Sequence, residues 1–392
     1  MKFRSLSEQQ SHGKRQQTEI ERVRQNTIYF TQNTDLSSLQ ELADQALAEG
    51  AKSLMLLACD ANACQPDSFD PWLQALPVPI FGGIFPQLVH GGHNVKQGYL
   101  VLGLAKPVQV VQISRLSDPS ADFHQQVAEH MGELAAPHSV VFLLDGLASR
   151  IGEVLDAVYD YFGSEVIYFG GGAGSLSFEP RPCLFSNQGI LADHAQLSFL
   201  PDRYDLSVEH GWQKLAGPFV VTDATRNVIH ALDFRPAFEV YREHVEASSG
   251  ERFGAENFFD IAKAYPFGLE KPDGQVLVRD PISRAGSDLN CVGEVPANSV
   301  VYLLKGHPSR LIEAAALSAA RIPSGSGPAL LADCISRVLF LEEDFVQELS
   351  AVQSALGERP LFGMLTLGEI ANGGGQCLEF YNKTLVLAAP RD

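Results

Sequence analysis

A chain of 392 residues exceeds what one ordinary hydrophobic core accommodates and divides most naturally into two domains. Its net charge of −18 is spread along the sequence, and its basic run, GKRQQ (13–17), is short. That excludes the concentrated positive face of a nucleic-acid or anionic-membrane binder and leaves small molecules and proteins as partners. No basic start followed by an apolar stretch opens the sequence, and no run reaches transmembrane length, so a cytoplasmic protein without membrane association is expected.

Residues 1–24 are polar and Gln-rich, with too few apolar positions to bury, and read as a flexible tail. Order begins near Thr27–Phe30. Asp35 is placed to cap a helix whose apolar positions, Leu36, Leu39, Leu42, Ala43, Ala46 and Leu47, recur at helical spacing until Gly50. SLMLLACD (53–60) reads as a buried strand, followed by an amphipathic stretch (Phe69, Trp72, Leu73, Leu76), the run PIFGGIFPQL (79–88), a turn in HGGHN and the strand GYLVLGLA (98–105). Glycine inside a strand pattern marks a bulge or a close approach to the backbone, which singles out Phe81, Gly82 and Gly83.

SVVFLLDGLASRI (139–151) reads as a strand running into a helix, VIYFGGGAGSL (166–176) as a strand ending in glycines, and GILADHAQLSFL (189–200) as a further strand. SVVYLLKGHPSRL (299–311) repeats the first of these almost residue for residue. The carboxyl-terminal order is a helix (309–320), PALLADC (328–334), a helix (341–355), PLFGMLTLGEI (360–370) and a final strand (376–389). It mirrors the amino-terminal order, with Phe362-Gly363 answering Phe81-Gly82. The fold class implied is α/β, with duplicated strand-helix-strand units forming mixed sheets flanked by helices. The two domains are 25–212 and 213–392, their boundary lying in the turn-rich stretch around GWQKLAGPFVVTD (211–223), with a helix entered through Pro236 just beyond.

The six cysteines match no zinc or CxxC spacing and read as free thiols, Cys59 and Cys64 being the nearest pair. GGGAGS (170–175), with Gly170 and Gly171, lacks the Lys-Ser/Thr of a phosphate loop and runs into Pro180, so it reads as a tight strand-to-loop passage rather than a nucleotide cradle. No GxSxG elbow, HExxH or kinase set is present, which argues for a protein without catalysis. The alternative is a hydrolase or transferase at a glycine-rich cleft, with Glu369 as base and Cys334 or Cys377 as nucleophile. Glu369 lies in a near-apolar strand and therefore needs a partner, with Arg279 the opposite charge and Asp280 a second carboxylate. A solitary imidazole can ligate haem iron without any surrounding motif, so His90, His93, His210 and His307 are candidate ligands; for any one of them a surface or hydrogen-bonded turn histidine is the simpler reading.

AGSLSF, LFSNQGILADHAQLSFL, HGWQKLAGPFVVTDA, VIHALDFRPAFEVY, VLVRDPI, LADCISR, LFGMLTLGEI and EFYNKTLVLA, in this order across about residues 27–389, together resemble the FIST family. The resemblance implies a FIST N domain and a FIST C domain in a sensory, small-ligand-binding module of bacterial signal transduction. A stand-alone subgroup is similar to haem-binding nitric-oxide sensors that regulate a separate histidine kinase, as in two-component systems. On that resemblance the cofactor is haem and the partner a histidine kinase or other signalling protein, with a homodimer an option. The segment GGIFPQLVHGGHN departs from the more polar Thr-Gly stretch of other members, which weakens transfer of an amino-acid ligand to this chain; an amino-acid-like ligand without haem is the second reading. The ligand residues so expected are Phe81, Gly82, Gly83, Gly170, Gly171, Arg279, Phe362, Gly363 and Glu369. A metal site is not identified.

Overall fold

Strands apolar at nearly every position need cover on both faces. SLMLLAC (Ser53–Cys59), SVVFLLD (Ser139–Asp145) and ALLADC (Ala329–Cys334) are such strands, and each is wholly buried near the centre of its own six-stranded sheet. This is seen in a computed structural model, which describes residues 26–131, 137–271, 274–373 and 377–392. The segment read as a tail, 1–24, lies outside the described residues. Among those described, no helix is long and apolar enough to cross a membrane.

The chain is a mixed α/β protein in two domains, and its three main sheets are built alike. Each central strand runs parallel to a second buried strand, respectively Ile80–Phe85, Ile167–Ala173 and Leu361–Thr366. The crossovers carry the helices Pro66–Ala75, Ile151–Phe162 and Phe345–Leu356. On its other side each central strand pairs antiparallel with Tyr99–Leu104, His194–Leu200 or Leu385–Pro390. These pair in turn with the outer strands Thr27–Thr31, Gln109–Ser114 and Tyr204–Glu209. The helices Leu36–Ala48, Phe123–Met131 and Pro308–Ala320 precede the three central strands. The Asp35 side chain accepts from the Ser38 amide, as its capping position predicts.

The duplicated unit therefore occurs three times. The Phe-Gly pair of the first and last units has its third copy in Phe169-Gly170. The glycines stand opposite Leu56, Phe142 and Leu331, where a Cβ would come within 1.9, 2.1 and 2.0 Å of the carbonyl oxygens of those residues. Such an approach admits no side chain at all. The neighbouring phenylalanines, Phe81, Phe169 and Phe362, converge with Met55, Val141 and Leu330 around a residual void of only about 10 Å³, so the three sheets share one core.

Each unit also lends a β-hairpin to another. Gln87–His90 with His93–Val95 docks on the third sheet at Leu361–Thr366. Leu184–Ser186 with Gly189–Leu191 docks on the first sheet at Ile80–Phe85. Glu369–Ala371 with Glu379–Tyr381 docks on the second sheet at Ile167–Ala173. The loans run in a closed cycle, so the edge left by every parallel pair is covered by a neighbour.

Between Glu209 and Pro308 the third unit carries an insertion. Six strands, Gln213–Thr225, Val300–Lys305, Phe267–Glu270, Val276–Ala285, Asp288–Val292 and Val228–Leu232, pair in that order, and the last returns to the first to close a barrel. Its core includes Phe238, Tyr241, Phe253, Phe258 and Phe267 in mutual ring contact, brought in largely by the helix Ala237–Ser249 and the short helix Phe258–Ala262. Gln213 faces Lys305 across the strand pair where the chain enters and leaves the barrel.

Two sequence expectations change. SVVFLLDGLASRI and SVVYLLKGHPSRL are not equivalent in the fold: the first holds a central strand, whereas the second holds a barrel strand, Val300–Lys305, and the helix that precedes the third central strand. A buried strand entering a helix has the same apolar pattern in either place, so pattern alone cannot separate them. The final strand read over 376–389 is two strands, because Asn382–Thr384 turn the chain from Glu379–Tyr381 into Leu385–Pro390.

Candidate functional site

Two parallel strand pairs in neighbouring sheets, one ending at Asp145 and Ala173 and the other at Cys334 and Thr366, bring their carboxyl-terminal ends to one cleft beneath the barrel. Ligand sites in α/β folds favour such strand ends. A cleft of about 780 Å³ opens there. Its sheet-side wall is formed by Gly146–Ser149, Ile151, Gly152, Leu155, Leu176, Phe178, Cys334–Ser336, Thr366–Gly368 and Leu378–Phe380, and its barrel-side wall by Phe259, Leu269, Leu277, Arg279, Asp280 and Cys291–Glu294. Most of this lining is apolar, but charged residues stand in it as well, among them Asp156, Arg226, Lys271, Arg279, Asp280 and Glu379.

The glycine-rich loops make the floor of the cleft thin. A Cβ on Gly172 would come within 2.6 Å of the Leu367 carbonyl oxygen and 2.7 Å of the Gly146 Cα, and one on Gly171 within 2.7 Å of the Gly368 carbonyl. The Gly172 amide donates to the Gly368 carbonyl at 2.8 Å, and Gly174 donates to Ile84. These N–H groups are thus engaged by protein oxygens, which accounts for GGGAGS as backbone packing and leaves no cradle for phosphate.

Four of the quoted motifs meet at this floor. VLVRDPI places Arg279 and Asp280, LADCISR places Cys334, LFGMLTLGEI places Thr366, Gly368 and Glu369, and EFYNKTLVLA places Asn382 and Lys383. Arg279 is buried; its Nε donates to the Glu294 carbonyl at 2.8 Å, and its Nη1 donates to the carbonyls of Val278 at 3.0 Å and Phe380 at 3.1 Å. Burial pulls its guanidinium down from the usual value, offset most by the charge of Glu379. Asp280 lies 3.2 Å from the Lys383 ammonium, yet neither of its oxygens accepts a directed hydrogen bond. Burial raises the Asp280 carboxyl, and Lys383 works against that. Lys383 also donates to the Lys263 carbonyl at 3.0 Å and stands over the Trp212 ring.

Asn382 is 1% exposed, and neither its Nδ2 nor its Oδ1 has a hydrogen-bond partner. An unmet polar atom in the interior costs about 1–3 kcal/mol. Glu369, just below, accepts from the Thr366 hydroxyl at 2.7 Å and the Thr384 amide at 3.2 Å. Burial lifts its carboxyl to about 8, opposed by those bonds and by the Cys334 thiol. Cys334 lies against Glu369, and burial pushes its thiol well above the usual range.

Of the residues expected from sequence, Arg279 lines the cleft and Glu369 supports its floor, but not as a pair: Arg279 makes no ion pair with any described carboxylate, and Glu369 is held by threonines. Phe81, Gly82, Gly83, Gly170, Phe362 and Gly363 sit in strand interiors and at the shared core, outside its walls, while Gly171 lies under it. The histidines disperse. His90 stacks on Phe30 with ring centroids 4.4 Å apart, His93 is exposed in the hairpin beside it, and His307 is exposed ahead of the helix Pro308–Ala320. His210 Nδ1 accepts from the Trp212 amide at 2.9 Å, and burial lowers it to about 4. None of them is in the cleft wall, so the residues here do not fit a haem with an axial histidine. No group of three or more potential metal ligands occurs among the described residues, and all six cysteines are free. Sequence reasoning missed Asn382, Gly293 and Cys291; Asn382 was within reach, because it stands in the motif EFYNKTLVLA.

A family model for the FIST N domain matches residues 21–235, and one for the FIST C domain matches residues 237–372. No curated protein matches the chain.

Proposed function

Because the chain belongs to the FIST family, whose domains are associated with small-ligand sensing in signal transduction, we propose that it senses a small amphipathic molecule in the cleft between barrel and sheets. Occupancy would be passed to a signalling partner such as a histidine kinase. The observation that carries this reading is Asn382, a buried carboxamide with no partner for either polar atom, facing a cleft of drug-sized volume with apolar walls. A site built to hold a polar head and an apolar body has this composition.

Binding without turnover is favoured by the state of Cys334 at the cleft and Glu369 beneath it. Cys334 and Glu369 are neighbours, but burial holds the thiol protonated and the carboxyl largely so, and no imidazole flanks them. Since the cleft lacks a histidine in its wall, the ligand is read as an organic molecule rather than haem.

Gly152, on the rim of the helix Ile151–Phe162, allows a direct test: a Cβ there meets nothing nearer than a Glu294 oxygen at 3.8 Å. Gly152→Phe should fill the cleft and leave the melting temperature within a few degrees. Purified wild type is then unfolded and its released small molecules identified by mass spectrometry. A molecule carried by wild type and absent from Gly152→Phe is expected. A wild type that carries nothing, and that no compound in a panel of carboxylic acids, amino acids and nucleobases stabilises, would remove the sensor reading; saturation at 100 times Kd is worth about 2.7 kcal/mol.

A further inference from the structure

Arg279 uses three of its five N–H groups on backbone carbonyls, and the two on Nη2 have no partner among the described residues. Carbonyl dipoles satisfy hydrogen bonds but bring no opposite charge, and a guanidinium taken out of water costs several kcal/mol unless its charge is met. The nearby carboxylates do not meet it directly: Glu379 is paired with Lys271 at 2.5 Å, and Glu294 is exposed at the rim. Arg279 and Asn382 flank one spot. A Cβ on Gly293 would lie 3.2 Å from Arg279 Nε and 3.1 Å from Asn382 Oδ1, so the two side chains close in on this glycine, and all three residues line the cleft.

Resting on the reading of this cleft as the sensor's ligand site, we infer that its ligand is a monoanion: an apolar carboxylic acid whose carboxylate meets Arg279 and which carries a hydrogen-bond donor, a hydroxyl or amide N–H, next to that carboxylate. The carboxylate oxygens accept from Nη2 of Arg279 and Nδ2 of Asn382, and the adjacent donor serves Oδ1 of Asn382. Both unmet atoms of the carboxamide then find partners, and the charge at Arg279 is neutralised.

The remaining buried charges argue against a zwitterion. Asp280 is already matched by Lys383, and Glu369 is held largely neutral at pH 7 by burial. An ammonium beside the carboxylate would find at the floor only Asp280, a carboxylate that already has Lys383 as its cation. The volume points the same way: about 780 Å³ walled by Leu147, Leu155, Leu277, Leu367 and Phe380 takes an extended apolar tail as well as the head. N-acylated amino acids and 2-hydroxy fatty acids share this chemistry, and only binding data separate them.

The test is isothermal titration of the whole protein with N-octanoyl-L-leucine and with 2-hydroxydecanoate. The controls are N-octanoyl-L-leucinamide, which lacks the carboxylate, decanoate, which lacks the donor, and free leucine. At least one of the two acids should bind. Each matching control should be weaker by about tenfold or more, the scale of one hydrogen bond to a charged or buried partner. Asn382→Leu, which removes two unmet polar atoms and should fold at least as well as wild type, is expected to abolish the preference for the donor-bearing acid while decanoate binding persists. Equal or tighter binding of the amide or of free leucine would overturn the monoanion class and leave the cleft as a ligand site. Failure of both acids to bind would overturn it as well, and binding that survives Gly152→Phe undiminished would overturn both the class and the site.

Discussion

At pH 7 Glu369 is a mostly protonated carboxyl inside the protein, and that has a measurable sign. In the unfolded chain it ionises near 4.5, and in the fold near 8, so the native state holds the extra proton between those values. Its contribution to stability is complete below about pH 4.5 and is lost as pH rises through 8, at no more than about 1.4 kcal/mol per pH unit for one proton. Glu369→Gln keeps a similar shape without titrating; its side-chain amide can donate to Thr366 while its oxygen accepts from Thr384. The difference in urea midpoint between this variant and wild type, measured at pH 5, 7 and 9, should move in favour of the variant as pH rises. A difference independent of pH would show that the carboxyl is not held neutral. At this scale the sequence was partly legible: a Glu in a near-apolar strand announces that something holds it. It did not announce that the holders are Thr366 and Thr384, the second of which reaches it only because Asn382–Thr384 form a turn.

The three Phe-Gly strands show what a short motif records. Gly82, Gly170 and Gly363 stand where a neighbouring carbonyl occupies the place of a side chain, so Ala at any of them drives a Cβ into a backbone oxygen at about 2 Å. Each substitution should cost at least about 2–3 kcal/mol, the scale of overpacking in a well-filled core. Gly357→Ala is the contrast, since its φ is +65° but nothing lies within 4 Å; it should cost about 1 kcal/mol. Equilibrium urea unfolding of the four variants separates the two causes, and a Gly363→Ala no worse than Gly357→Ala would sink the steric account. Two of these strands were visible from sequence as a repeat. The third was hidden because its glycines run on into GGGAGS, whose composition draws the eye to the loop rather than to Phe169-Gly170. The lent hairpins were not legible either: HGGHN reads as a turn wherever its strands dock, and nothing local states that Gln87–His90 pairs with a strand some 270 residues further on.

Across the whole molecule, the barrel is held over the sheets by the buried pair of Asp280, on a barrel strand, and Lys383, in the turn after the third unit's hairpin. Removing one member leaves the other charge buried alone, at a cost of about 3–5 kcal/mol. Lys383→Met should therefore be strongly destabilising, and adding Asp280→Asn should restore most of the loss. A double-mutant cycle by urea unfolding tests this, and additive losses would mean that the two charges are not coupled. The sequence pointed to two domains and to Arg279 and Asp280 as charges needing company. It could not say which charge closes on which, because Lys383 and Asp280 are a hundred positions apart and meet only once the barrel has folded back.

The closed cycle of lent hairpins carries a consequence for any cut chain. A break in the loop between Ser114 and Phe123 leaves one fragment with the hairpin the third sheet needs, while that fragment's own Ile80–Phe85 edge awaits strands from the other piece. Neither piece can satisfy its backbone alone, yet each holds what the other lacks. Two such fragments made together should find each other and reassemble, which would make this fold a natural split reporter, with the ligand cleft formed entirely by the longer piece.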